Sequence, residues 1–516
     1  MHSKIDITKI REDDAEVWNM IGEGRVKGCF QIESYLGKTW SKKSKPKNIT
    51  ELSALISIVR PGTLKAIVDG KSMTQHFVDR KFGKEDIPSL HPLIDDLLKE
   101  TYGVIVYQEQ AMEISVKMAG FNLKQADDLR KAIGKKKADL MKEVRVKFIE
   151  GCKNNNIDED KAIEIFDMIE KSARYSFNKS HAVAYAKMAY WSAWIKYHYT
   201  PKFFKNWLRN ADEKIDPDME TRQLIMAAKS EDIKVCGPTI NILEDNFSWH
   251  NGAIYFGICN VKNVGAAHLE QLKKYLDDIP SNERTWTVLL TKVLTNINKR
   301  AIENLISVGA FSGLGKTRSE MLHEFHCYLD LTDKEIDFIA KSDLVSNTIS
   351  ETLQKFINLG LKKNGGIIST QSRLEKVENI LVRINNPGRS LLDNSAVYAK
   401  IEEKLLGYAI NHSELNACAE VGHADTTCKE IADGKTGHSI IAAVIKRAKE
   451  FKTKNGDLMA FLSIEDDSGE LENIVVFPDI YEQNKDIIYE QATVLISGEI
   501  KDKQRNSFII DKIYMI

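Results

Sequence analysis

The stretch Ala173–Phe204, ARYSFNKSHAVAYAKMAYWSAWIKYHYTPKFF, sets a polar turn directly in front of a long helical pattern. Tyr185, Tyr190, Trp191, Trp194 and Tyr197 recur at helical spacing, a pattern more often core than a platform for stacked bases. At the turn, Asn178, Lys179, Ser180 and His181 bring a lysine to the unbonded N–H groups of a helix start, which suits an anion. His181 taken alone is equally consistent with a helix cap or a core histidine.

Upstream, GVIVYQEQAMEI (Gly103–Ile114) opens as a short apolar strand and then gathers Tyr107, Gln108, Glu109 and Gln110 at a helix start. A plain polar helix start and a binding edge are both open readings. The segment ADDLRKAIGKKKADLMKE (Ala126–Glu143) carries Arg130, Lys131, Lys135, Lys136, Lys137 and Lys142 around Gly134. Acids are few between Arg130 and Lys142, so the cluster is expected to be poorly self-neutralised and open to phosphate oxygens. A solvated helix face is the alternative.

Apolar residues at three- and four-residue spacing, such as Ala111, Ile114, Met118 and Ala162, Ile165, Met168, Ile169, extend the helical reading from Asp14 to about Phe247. From Asn251 to about Phe325, shorter helices alternate with the glycine turns of NVKNVGAAHLEQL and NKRAIENLISVGAFSGLG. A charged stretch from Thr332 to Pro387 reads as helices joined by linkers. From Gly437 the period becomes two, with strands in SIIAAVIKRAKEF, LMAFLSIEDDSGELENIVVF, ATVLISGEI and SFIIDKIYMI around turns at Lys454-Asn455-Gly456 and Asp467-Ser468-Gly469. The expected fold class is multidomain and mainly α, followed by a C-terminal β-barrel of the OB type.

The totals fit this plan. A chain of 516 residues exceeds one core and suggests roughly three or four domains. No apolar run spans a bilayer and the start has no signal-peptide core, so the expected location is cytoplasmic, with no membrane partner. Seven scattered cysteines without a C-x-x-C pair argue against a disulfide framework or zinc ribbon and read mostly as core thiols. With 73 basic and 74 acidic residues, any nucleic-acid surface must come from local segregation of charge.

The ordered series GCFQIES, SIVRPG, VDRKFG, HPLI, ETYGVIVYQEQAM, AGFNLKQADDLRKAIGKKK and FNKSHAVAYA resembles the palm end and fingers of the bacterial DNA polymerase III alpha subunits, the C-family polymerases. GICNVKNVG and NLISVGAFSGLG resemble the tandem helix-hairpin-helix region of that family, and EEKLLGYAINHSEL leads into its OB domain. The resemblance implies a palm remnant at 1–34, nucleotide-binding fingers at 35–247, DNA-binding hairpins at 248–330, a helical linker region at 331–432 and an OB domain at 433–516. It also implies that Arg130, Lys131, Lys135, Lys136, Lys137, Asn178, Lys179 and His181 grip the triphosphate of an incoming dNTP. Arg60 and Gln108, Glu109 and Gln110 would line the same cleft. In the first hairpin Lys262, Asn263 and Gly265 would meet DNA phosphate, and in the barrel Lys446, Arg447 and Lys452 would meet single-stranded template.

The metal motifs of the family, PDxDxDF and KxDFLGL, do not occur, so no catalytic or metal-binding residue is assigned. The resemblance then implies Mg²⁺ bound by a separate chain carrying PHP, palm and thumb domains, with this chain as one half of a split polymerase acting on template-primer DNA. A non-catalytic, polymerase-derived DNA-binding or regulatory protein is the alternative. Three departures stand out: Ser176 replaces a glycine before FNKSH, Lys131 replaces an arginine, and no glutamine-led peptide for a sliding clamp is evident. The GLGKT of Gly313–Thr317 lacks the earlier P-loop glycine, His323-Glu324-Phe325-His326 lacks zinc-site spacing, and Cys418, His423 and Cys428 lack a paired motif.

Overall fold

Alanine lines much of the central helix of the amino-terminal unit, beside one fully buried tyrosine. A computed structural model describes residues 5–135, 138–172, 176–411, 424–453, 456–466, 468–489, 492–502 and 507–515. The chain divides into two units, Met1–Phe203 and Phe204–Ile516.

In the first unit the Lys179–His198 helix buries Ala182, Ala186, Ala189, Tyr190 and Ala193 completely, against the Ile49–Ile58 and Ala15–Gly22 helices. Trp191, Trp194 and Tyr197, expected in the core, are only partly buried around it. The physical reason is reach: a methyl side chain lets two helix backbones approach, while the rings pack as flanks. Lys196, 1% exposed on the same helix, donates to the carbonyl oxygen of Arg25 at 2.9 Å and holds that loop against it.

A second core joins the helices Gln108–Ala119, Leu123–Lys135, Ala138–Asn154 and Glu159–Ser172. Ala111, Ile114, Met118, Ala162, Ile165 and Ile169 are buried there as their spacing predicts, with Met168 partly so. Gly151 permits the crossing, since a Cβ at that position would stand 2.1 Å from the Ala119 carbonyl oxygen.

The second unit is helical as far as Leu406, apart from a small sheet that the helical reading up to Phe247 did not contain. Strands β3 (Lys234–Cys236), β4 (Ser248–His250) and β5 (Ala253–Tyr255) pair in the order β3-β5-β4. They are three residues each, too short for alternation to register in sequence. Strands β1 (Ile67–Val68) and β2 (Lys71–Ser72), in the first unit, are shorter still.

Five strands, β6 (His438–Lys452), β7 (Leu458–Asp466), β8 (Gly469–Val476), β9 (Thr493–Asp502) and β10 (Ser507–Met515), close a barrel in the order β10-β8-β7-β6-β9. All neighbours are antiparallel except β10 and β8. This is the OB-type barrel that the alternating pattern predicts. The Asp466 carboxylate accepts from the N–H groups of Ser468 at 2.8 Å and Gly469 at 3.1 Å, so the Asp-Ser-Gly signal is an acid-capped turn.

Gly498 lets β9 pass β10, because a Cβ there would lie 2.2 Å from the Ile509 carbonyl oxygen and 2.6 Å from the Phe508 ring. Backbone cannot yield as a side chain can. Gly498→Ala is therefore expected to lower stability by about 1–3 kcal/mol, as overpacking does. Urea unfolding followed by far-ultraviolet circular dichroism measures it, and an unchanged midpoint would contradict this packing.

Candidate nucleotide and nucleic-acid interface

Phe177 organises the residues that the sequence singled out in the first unit. Its N–H donates to the Val106 carbonyl at 2.9 Å and its carbonyl accepts from Gln108 N at 2.9 Å, a parallel bridge between Tyr107 and Phe177. Two extended segments thus run side by side, each leading into a helix start. The Arg60 guanidinium lies 3.6 Å from the Phe177 ring centroid, and the His181 ring stands edge-on to it at 5.3 Å. Lys179 Nζ is 5.5 Å from the Tyr107 ring centroid. Arg60, Lys179 and His181 therefore come together.

Each of these groups has a definable electrostatic condition. Arg60 is half-buried, burial lowers its pKa, and no carboxylate pairs with its guanidinium among the described residues. Lys179 pairs with Glu100. Burial pushes the Tyr107 hydroxyl up to about 12, so it stays a neutral hydrogen-bonding group against Ser53 Oγ at 3.1 Å. His181 is exposed, its N–H bonded to Asn178 Oδ1 at 2.8 Å and its ring 4.0 Å from that of Tyr185.

The structure gives other predicted residues architectural work. Asn178 is the N-cap of the Lys179–His198 helix. Glu109 accepts from Asn178 Nδ2 at 2.9 Å and from Lys179 N at 3.0 Å, so a carboxylate of this chain already answers that helix start. Gln108 contributes its backbone to the bridge. Gln110 does not line an open surface. It is 2% exposed, its Oε1 accepts from Val106 N at 2.9 Å and Tyr107 N at 3.0 Å, and its Nε2 donates to Thr101 Oγ1 at 2.8 Å.

The expectation of a poorly self-neutralised basic helix is corrected for its first two members. Asp127, one turn earlier, accepts Arg130 Nε at 2.9 Å and Lys131 Nζ at 2.8 Å, and Asp128 lies 3.5 Å from Lys131. Lys131 and Arg130 hold the Asp127 carboxyl below its usual range. These pairs are solvent-exposed and exchangeable. Lys136 and Lys137 lie outside the described residues, as does the side chain of Lys135; so do Cys418 and His423.

In the second unit, Lys262 Nζ is 2.8 Å from Asp218, Asn263 adopts φ 68°, and Gly265 N donates to His268 Nδ1 at 3.1 Å. A Cβ on Gly265 would meet nothing within 4 Å, so the fold itself does not demand glycine there. The second hairpin is packed inside: Val308, Ala310 and Phe311 are at most 1% exposed, and Gly309 leaves room for the Arg318 guanidinium. Arg318 pairs with the fully buried Glu402 at 2.7 Å.

On the barrel, Lys446 is neutralised by Glu465 at 2.6 Å, whose pKa burial raises. Arg447, Lys449 and Phe451 alternate along exposed β6, with Lys449 opposite Phe461 in β7 and the rings of Phe451 and Phe461 6.3 Å apart. Lys452 is exposed beside them.

Sequence reasoning missed Glu100, Asp127 and Phe177. Asp127 was legible at i−3 and i−4 from the cations; Glu100, 79 positions from Lys179, carried no local signal.

A helical amino-terminal unit, glycine-turn hairpins and a closed five-stranded barrel follow one another along the chain, which places it in a mainly α, multidomain class with an OB-type barrel. Residues 1–156 match the bacterial DNA polymerase III alpha subunit finger domain, and residues 232–321 match a helix-hairpin-helix motif. The chain is 32% identical to a DNA polymerase III subunit alpha of Aquifex aeolicus across 99% of its own length and 40% of the relative. Identity is 30% with the Pseudomonas aeruginosa subunit (96% and 41%) and 29% with that of Staphylococcus aureus (99% and 43%). The chain thus carries the finger domain of the bacterial DNA polymerase III alpha subunits and is related to them along nearly all its length. It spans about two fifths of the length of these relatives.

Gln110→Ala would leave two buried N–H groups and a threonine hydroxyl without their partner. The expected loss is about 1–3 kcal/mol. Thermal unfolding of the variant checks it, and Gln110→Glu should fall between the two.

Proposed function

We propose that residues 1–516 form the nucleotide-gripping and DNA-gripping portion of a template-directed DNA polymerase that works with a separate palm-bearing polypeptide. The observation that carries this reading is the convergence of Arg60, Lys179 and His181 at the Tyr107–Phe177 bridge, where Arg60 and Tyr107 belong to the matched residues 1–156 and the other three follow them in the chain. Phosphoryl transfer requires charge neutralisation and positioning of a triphosphate, which an unpaired arginine and an exchangeable lysine can supply. An entering phosphate oxygen displaces Glu100 from Lys179, while Glu109 keeps holding the helix start. Arg130 and Lys131 exchange Asp127 for phosphate in the same way.

The hairpin offers Lys262 and the backbone around Asn263 and Gly265 to a DNA phosphate, and Gly265 leaves that approach unobstructed. Along the barrel, Arg447, Lys449, Lys452, Phe451 and Phe461 offer charge and rings to single-stranded template.

Among the described residues, no group of three or more histidine, cysteine, aspartate or glutamate side chains could hold a metal ion. The described residues thus offer no two-metal site, and in this reading Mg²⁺ and its carboxylates belong to the palm-bearing polypeptide. No helix of the described residues is long and apolar enough to cross a membrane.

The Glu100 pair also favours a second reading, a polymerase-derived DNA-binding protein whose nucleotide seat is closed. Primer extension separates the two. This chain alone should extend nothing, and adding a palm-bearing polypeptide of the same family should produce extension. A reconstituted pair that binds DNA yet stays inactive would favour the second reading. In the active pair, Lys179→Ala should raise the nucleotide KM about tenfold with DNA affinity little changed, whereas Glu100→Gln should lower it a few-fold. Loss of DNA affinity alone would move Lys179 out of the nucleotide seat.

A further inference from the structure

The helix Tyr35–Ser44 and the turn after it carry Lys42, Lys43, Lys45 and Lys47, all exposed, in a run without an acid from Tyr35 to Asn48. Lys42, Lys45 and Lys47 line an open cleft of about 430 Å³, with Asn19, Glu23 and Trp18 on its other side.

The plain reading is that cations cap the negative end of a helix. The magnitudes do not match: a helix C-terminus is equivalent to about half a negative charge, against four lysines. Neighbouring acids do not supply the remainder. Glu23 is engaged by Arg25 at 2.8 Å, and Glu51 by Lys81 at 2.7 Å. No carboxylate pairs with Lys42, Lys43, Lys45 or Lys47 among the described residues.

The turn is also held in a fixed and unfavourable shape. Lys45 has φ 41° and ψ 66°, a left-handed conformation that non-glycine residues rarely adopt. Its carbonyl accepts from Lys81 Nζ at 3.0 Å, and its N–H donates to the Ser41 carbonyl at 2.8 Å. Lysine ammonium groups are point charges without the arginine fork, so they suit phosphates read without sequence.

We infer that Lys42, Lys45 and Lys47 form a contact for the phosphodiester backbone of duplex DNA, separate from the Phe177 seat. The inference rests on the DNA-gripping reading above and gives it a further surface. Successive phosphates along a strand match a row of cations on an open edge, and Trp18, 5% exposed, offers no ring for a base.

The test uses the full chain and a fluorescently labelled primer-template duplex, with affinity read by anisotropy over a salt series. Wild-type binding should weaken linearly in log–log form. The triple variant Lys42→Gln, Lys45→Gln, Lys47→Gln should reduce the slope by about 2.7, from about 0.9 per phosphate contact, and weaken binding roughly tenfold or more at about 50 mM salt. The corresponding triple arginine variant should restore both, which a lost fold could not do. An unchanged slope in the glutamine variant overturns the inference while leaving the DNA-gripping reading intact. No duplex binding by the wild-type chain overturns both. Inorganic tripolyphosphate binding that is lost in the glutamine variant, with the DNA slope unchanged, would assign the lysines to a free polyphosphate and so overturn the duplex contact.

Discussion

Two backbone hydrogen bonds, from Phe177 to Val106 and from Gln108 back to Phe177, tie segments some seventy residues apart and fix where two helices begin. Because the pairing is parallel, both helix starts face the same way, and the side chains at the two starts are forced into one neighbourhood. Gln110 secures one strand from beneath, and Glu109 reaches across to the other helix. The cation stack of Arg60 on Phe177 follows from this junction. Without it Arg60, Lys179 and His181 would belong to unrelated parts of the chain.

Charge is distributed by a different rule. Most of the cations singled out have a carboxylate within reach, Lys179 with Glu100, Arg130 and Lys131 with Asp127, Lys262 with Asp218 and Lys446 with Glu465. Such pairs keep a folded chain with a formal charge of -1 from repelling itself, yet exposed ones yield to a stronger anion. The lysines at 42–47 follow no such rule. A nearly neutral total thus conceals both kinds of surface.

Much of the fold was legible because it is periodic. The barrel announced itself through alternation and turn chemistry, and the four-helix core through apolar spacing that the structure buries almost residue for residue. The three-residue strands of β3 to β5 gave no period to detect. In the candidate site, the helix start at Asn178 was legible from its capping residue and basic neighbours. The interior role of Gln110 was not, because burial of one amide depends on a strand placed over it by tertiary contacts. Aromatic spacing on the Lys179–His198 helix marked Tyr190, which is fully buried, and rings that pack against the same core, but it left unread the alanine pattern on the deepest face.

That alanine face has a further consequence. A helix seated largely on methyl groups, with the Tyr190 ring packed against Trp18, has little compliant layer beneath it, so it moves as a rod if moved at all. A longer side chain at Ala186 would lift the whole rod and carry Asn178, Lys179 and His181 with it. The alignment of the cations is therefore encoded partly on the hidden underside, in residues that carry no charge. Drift among related sequences in where these cations stand should be sought there as well as at the tip.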